Sequence, residues 1–110
     1  MSEDQLQSKC FIYFHNTYSN YRNLFFAVPN GGKRDIREAM KLKATGVIAG
    51  IPDMILLHSS TCIGFEFKAE KGVLSDSQKK IHKIWNDNNY KVFVIKSFEE
   101  FVEIIEKVII

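Results

Sequence analysis

The chain has 110 residues, with 45% apolar and 13% aromatic residues and a formal charge of +2. That length supports one domain around one core and excludes a second independent unit, while the apolar content excludes disorder as the default state. A charge this small cannot by itself argue for a nucleic-acid partner, so what matters is where the basic groups cluster. From Glu3 to His15, Leu6, Cys10, Tyr13 and Phe14 fall at i, i+4, i+7 and i+8, the stripe of an amphipathic helix with Glu3 and Gln7 at its edge. The segment from Arg22 to Val28 carries the apolar run Leu24-Phe25-Phe26-Ala27-Val28 and stops at Pro29 and the turn-forming Asn30-Gly31-Gly32, which predicts a strand. A second helix is predicted from Asp35 to Ala44, ending at Gly46.

Met54-Ile55-Leu56-Leu57 and Ile63 to Phe67 then read as a hairpin turning at His58 to Thr61. Ser75-Asp76-Ser77-Gln78 has the form of a capping box and opens a third helix, with Ile81, Ile84 and Trp85 expected inward and Asp87-Asn88-Asn89 closing it. Val92-Phe93-Val94-Ile95 is uniformly apolar, the pattern of a strand covered on both faces, and is expected to be central in the sheet. A last helix starts near Ser97 and carries Phe98, Phe101, Val102, Ile105, Val108 and Ile109 at helical spacing. The order αβαββαβα predicts an α/β fold, a small mixed sheet flanked by helices in one domain over residues 1–110.

Cys10 and Cys62 lack any metal-type spacing and no secretory signal is visible, so reduced thiols and a cytoplasmic location are expected. The apolar runs are far too short to span a membrane.

The chemistry concentrates in Gly50-Ile51-Pro52-Asp53 and, thirteen positions after Asp53, Glu66-Phe67-Lys68. Strand side chains repeat with period two, so Glu66 and Lys68 share one face while Phe65 and Phe67 share the other. The hairpin pairing would bring Asp53 beside the end of the second strand. Carboxylate oxygens are hard ligands suited to magnesium or manganese, so Asp53 and Glu66 are candidate metal ligands, with the backbone carbonyl of Phe67 as a third. Lys68 could orient or deprotonate an attacking water, or stabilise the charge on a phosphate in transition.

Plainer readings stand beside these. An isolated Glu-x-Lys is usually a solvated ion pair worth about 0–1 kcal/mol; the preceding Gly-Ile-Pro-Asp at hairpin separation is what favours a site. Glu3 is either a further ligand or an acid complementing a helix dipole. Gln7 either lines the site or is an exposed polar residue, and Gln78 is either a capping residue or a site residue. Lys33, Arg34, Arg37 and Lys41, with Asn30, Gly31 and Gly32, could contact DNA phosphates or form a solvated basic face. Lys71, Lys79, Lys80 and Lys83 make a second strip. His15, His58 and His82 lack ligand spacing to one another and read as incidental.

Taken together, Glu3 with Gln7, Asn30-Gly31-Gly32, Lys43 to Val47 leading into Gly50-Ile51-Pro52-Asp53, Glu66-Phe67-Lys68 and Gln78 resemble the VRR-NUC family. That family is the virus-type replication and repair branch of the PD-(D/E)XK nucleases. The resemblance covers nearly the whole chain. It implies a restriction-endonuclease-like core and a magnesium- or manganese-dependent DNA endonuclease. Asp53 and Glu66 would hold the metal, Lys68 would serve catalysis, and Glu3 and Gln78 would map onto the family's helical acid and glutamine. Small stand-alone members look like phage or bacterial homodimers acting on four-way (Holliday) junctions, whereas the Fanconi-associated member carries extra DNA-binding domains and cuts flaps. The expectation is therefore a homodimer acting on branched DNA, with a nuclease for flaps or nonspecific duplex, or a noncatalytic DNA-binding module, as the alternatives.

Overall fold

The computed structural model describes residues 1–29 and 35–110. Helix α1 spans Glu3–Thr17, and a 3-10 turn at Ser19–Leu24 leads into strand β1, Phe25–Ala27. After α2, Ile36–Ala44, come β2, Met54–His58, and β3, Thr61–Phe67. Then follow α3, Asp76–Asp87, β4, Val92–Ile95, and α4, Phe98–Val108. The predicted order of helices and strands holds, and the architecture is α/β with a four-stranded mixed sheet flanked by helices.

The sheet order is β1-β2-β3-β4, antiparallel through β3, with β4 parallel to β3. A parallel neighbour needs a crossover, and α3 supplies it. The β2–β3 turn is two residues, Ser59 and Ser60, both at positive φ (50° and 61°), as the twist of a tight hairpin demands. The register pairs Met54 with Phe65 and Ile55 with Gly64.

Period-two alternation then sorts the side chains. Phe25, Met54, Leu56, Ile63, Phe65, Phe67 and Ile95 face one side and are buried with Leu6, Cys10 and Phe14 of α1 and Phe101 and Ile105 of α4. The centre of this core is aromatic: Phe14 and Phe25 have ring centroids 4.5 Å apart and Phe65 and Phe101 5.5 Å apart. The opposite face carries Gly64, Glu66 and Lys68, and α3 covers it.

Helix ends follow their local chemistry. Ser2 and Ser75 form capping boxes with Gln5 and Gln78, and Asp35 and Ser97 cap α2 and α4. Both α2 and α3 close in Schellman motifs, with Gly46 (φ 106°) and Asn89 (φ 68°) in the left-handed position.

Three expectations need correction. Arg22, Asn23 and Leu24 belong to the 3-10 turn, so β1 is only three residues long. Strand β4 is an edge strand of the described sheet, not a central one. Its uniform apolarity reflects helices on both faces, α3 and α4, and says nothing of how many strands flank it. On α3, Ile84 points outward, 46% exposed, and the buried position is His82.

Candidate active site

The functional groups meet where β2 begins and β3 ends. Gly50 sits at φ 90°, and a Cβ there would lie 2.6 Å from the Ser77 carbonyl carbon and 2.9 Å from the Gln78 nitrogen, besides striking the Ser77 oxygen. Only glycine therefore lets this loop lie against the first turn of α3. Two residues on, Pro52 is fully buried over Gly64, whose missing side chain makes room for the proline ring and for Trp85. The loop is thus fixed at two points just before Asp53.

Asp53 continues the β2 register to stand opposite Glu66. Its Oδ2 accepts the Phe67 N–H at 2.8 Å, and its carbonyl accepts the Val28 N–H at 2.8 Å. Phe67 is tied to Asp53 through its backbone N–H while its ring is in the core. The end of β3 is held in turn by the Lys68 N–H, which donates to the Ile95 carbonyl at 2.9 Å.

Glu66 is only 1% exposed. Burial, reinforced by hydrogen bonding with Asp53 and by the Asp53 charge, pushes its carboxyl up to about 9, while Lys68 opposes that rise and Glu3 adds to it. Two residues of α3, one turn apart, hold its two oxygens separately: the Gln78 Nε2 donates to Oε2 at 3.3 Å, and the His82 Nε2 lies 3.1 Å from Oε1. His82 is 7% exposed, and burial holds its ring below the usual histidine range, an effect that Asp53 opposes and Lys68 adds to.

Both readings of Gln78 hold at once. Its Oε1 accepts the Ser75 N–H at 2.9 Å in the capping box, which orients the amide so that its Nε2 reaches Glu66. Glu3 is drawn in from α1: the Ala69 N–H donates to its Oε2 at 3.5 Å. The capping box at Ser2 fixes the helix turn that carries it. Gln7 lines a groove of about 690 Å³ along α1 and β1, together with Phe11, Arg22 and Phe26.

Arg37 and Lys41 are exposed on α2. Lys71, Lys79 and Lys80 are exposed, and Lys83 pairs with Asp87 at 2.7 Å. Asn30, Gly31, Gly32, Lys33 and Arg34 lie outside the described residues.

His82, read from its spacing as incidental, is buried and meets Glu66. Spacing between histidines does not single it out, yet a usable signal is present in the sequence: His82 is four residues after Gln78 and so on the same face of the helix.

A divalent cation fits the donor set. Two carboxylates are held face to face, one of them buried and gripping a proton unusually tightly, and a hard cation competes for the same oxygens. Among the described residues no group of three or more Asp, Glu, His or Cys side chains is arranged to hold a metal ion, so the carboxylates that a cation would meet here are the pair Asp53 and Glu66.

No family model matches this sequence, nor does any curated protein. Among solved structures the chain is similar to a VRR_NUC domain protein, with a TM-score of 0.83 at 20% identity, over 99% of this chain and 88% of that one. The fold is that of a VRR_NUC domain.

Proposed function

We propose that this chain is a nuclease of the VRR-NUC kind, a magnesium- or manganese-dependent DNA endonuclease that hydrolyses phosphodiesters in branched DNA such as four-way junctions. The observation that carries the reading is the bond from the Phe67 N–H to the Asp53 carboxylate at 2.8 Å, one residue beyond the Met54–Phe65 pair, which brings Asp53 to the strand end that carries the buried Glu66 and Lys68. The shared fold supports it independently.

Asp53 and Glu66 would hold the ion, with Glu3 and the Phe67 carbonyl as further oxygen donors. A bound divalent ion supplies positive charge against the scissile phosphate and makes water a better nucleophile at neutral pH. The chain's own residues do the rest. The Phe67 N–H fixes the rotamer of Asp53, and Gln78 fixes Glu66 from α3. Lys68 acts as a fixed cation, its Nζ donating to the phosphoryl oxygen on which negative charge builds. Asn30, Gly31, Lys33, Arg34, Arg37 and Lys41 serve the DNA backbone.

A homodimer suits a substrate with two strands to cut. Much of the apolar surface that could form an interface serves the protein's own core: Tyr13, Tyr18, Tyr21, Val108 and Ile109 all pack against it. The exposed apolar side chains of α2, Ile36 (79%) and Met40 (65%), are the better candidates.

The test is incubation of the protein with junction, flap and linear duplex DNA in the presence of Mn2+. Junction cutting should exceed the other two, and Lys68→Ala should lose about 10²–10³-fold in rate while keeping DNA affinity. Equal cutting of all three shapes would replace branch selectivity with a nonspecific nuclease. Absence of metal-dependent cutting would leave a DNA-binding module.

A further inference from the structure

We infer that His82 is a positioning residue for the cation site, holding Oε1 of Glu66 so that the remaining lone pairs of that carboxylate face Asp53. The inference rests on the nuclease reading above and adds a residue that the motifs do not contain.

Glu66 enters from β3 with almost no solvent contact, so water cannot set its orientation. Its oxygens instead meet α3, one per residue: Gln78 at Oε2 and His82 at Oε1, 3.3 and 3.1 Å away. A carboxylate has about four lone-pair sites, so two such bonds leave acceptor capacity for a cation while removing rotational freedom about the last torsion. An ionised carboxylate has no proton to give, so in the cation-bound form the Nε2–H of His82 is the donor, which fixes the ring's tautomer as well. Partners that orient a ligating carboxylate in this way are commonly worth about 10–100-fold in metal affinity.

The helix is built for this contact. Gln78, His82 and Trp85 follow at i, i+4 and i+7 on one face of α3. The first is fixed by the capping box, and the last lies against the bare backbone of Gly64. The helix turn that carries His82 is therefore anchored on both sides, and its ring, 7% exposed, lies against Glu66.

The experiment measures Mn2+ binding to the DNA-free protein, by calorimetry or by the paramagnetic resonance signal of free Mn2+, in three variants. His82→Gln keeps an N–H donor near the Nε2 position, His82→Asn places its amide near Nδ1 instead, and His82→Leu has no donor. The expected order of Mn2+ affinity is wild type close to Gln, with Asn and Leu both weaker by about 10-fold or more. Cleavage by the Asn variant should recover at high Mn2+, since the defect lies in metal affinity rather than in Lys68. A residue that only fills space would give no such ranking. Wild-type affinity in folded Asn or Leu variants overturns the inference, as does a Gln variant as weak as Asn. If Leu does not fold, the Gln–Asn comparison decides alone. Failure of the wild-type protein to bind Mn2+ or to cut DNA sinks the parent reading with it, whereas normal binding and cutting without the ranking sinks only His82.

Discussion

Glu66 is the residue on which the site's energetics turn, because it is an acid kept out of water beside a second acid. Its folded-state affinity for a proton is raised from 4.5 to about 9. Across that window the folded chain keeps a proton that the unfolded chain has released, so stability falls as pH rises from 4.5 towards 9. His82 has the opposite sign: below its ordinary value the unfolded chain takes up a proton that the buried ring resists, so its contribution is lost as pH falls through about 6.5. The two slopes oppose one another under acid conditions, and above neutrality only that of Glu66 remains. One proton corresponds to at most about 1.4 kcal/mol per pH unit, so the metal-free protein should lose about 1–2 kcal/mol between about pH 7 and about pH 8.5. Glu66→Gln should remove that loss, because the amide does not titrate and can still meet Gln78 and His82. Urea unfolding in EDTA at the two pH values checks this. Parallel losses in wild type and variant would mean that another group sets the slope. The same substitution should abolish metal-dependent cutting, which makes Glu66 a position where function is retained against stability.

At the scale of elements, most of the fold was legible because each signal was local. The capping residues Ser75 and Ser97 and the helix-ending Gly46 mark boundaries through backbone groups a few residues away, and the α1 stripe falls where the core requires it. What was not legible depended on partners distant in sequence. The run Val92 to Ile95 reveals cover on two faces but cannot reveal the absence of a strand beyond it in the described sheet. His82 looks wrong for an inward helix position until Glu66 is seen opposite it. Asp53, Glu66 and Lys68 could be placed because a hairpin register ties sequence spacing to spatial adjacency, and the structure adds the reason for the glycine and proline before Asp53. Two glycines separate the parts of that reason. Gly50 and Gly46 both have positive φ, yet a Cβ on Gly46 meets nothing within 4 Å, whereas one on Gly50 runs into the backbone of Ser77 and Gln78. Gly46→Ala should therefore cost only conformational strain, about 1 kcal/mol, and Gly50→Ala that strain plus a displaced loop, about 2–4 kcal/mol in all. Urea unfolding measures both, and equal costs would mean that the loop and α3 are not pressed together. Cleavage should fall in the Gly50 variant alone, since both glycines lie in the α2–β2 connection but only Gly50 is pressed against α3, three residues before Asp53.

For the molecule as a whole, the proposed function asks how so small a body would hold an extended polyanion, and α2 is the element with most to offer. None of its residues is buried. Ile36 and Met40 lie one above the other on one side, and Arg37 and Lys41 form a second stripe about 100° around the helix. Two stripes at that angle can serve two contacts at once, a second protomer on the apolar side and DNA phosphates on the basic side. Each phosphate neutralised by a lysine or arginine releases condensed counterions and adds about 0.9 to the slope of log affinity against log salt. Replacing Arg37 and Lys41 together by alanine should therefore reduce that slope by about 2 and weaken binding to junction and duplex alike, because phosphates carry no sequence information. Fluorescence anisotropy over a salt series, in the Lys68→Ala background so that the DNA stays intact, reads the slope directly. Both substitutions are at exposed positions, so thermal stability should stay within about 0.5 kcal/mol of the parent. An unchanged slope would take α2 out of the DNA contact and leave the exposed lysines around α3, Lys71, Lys79 and Lys80, as the surface that meets the phosphates.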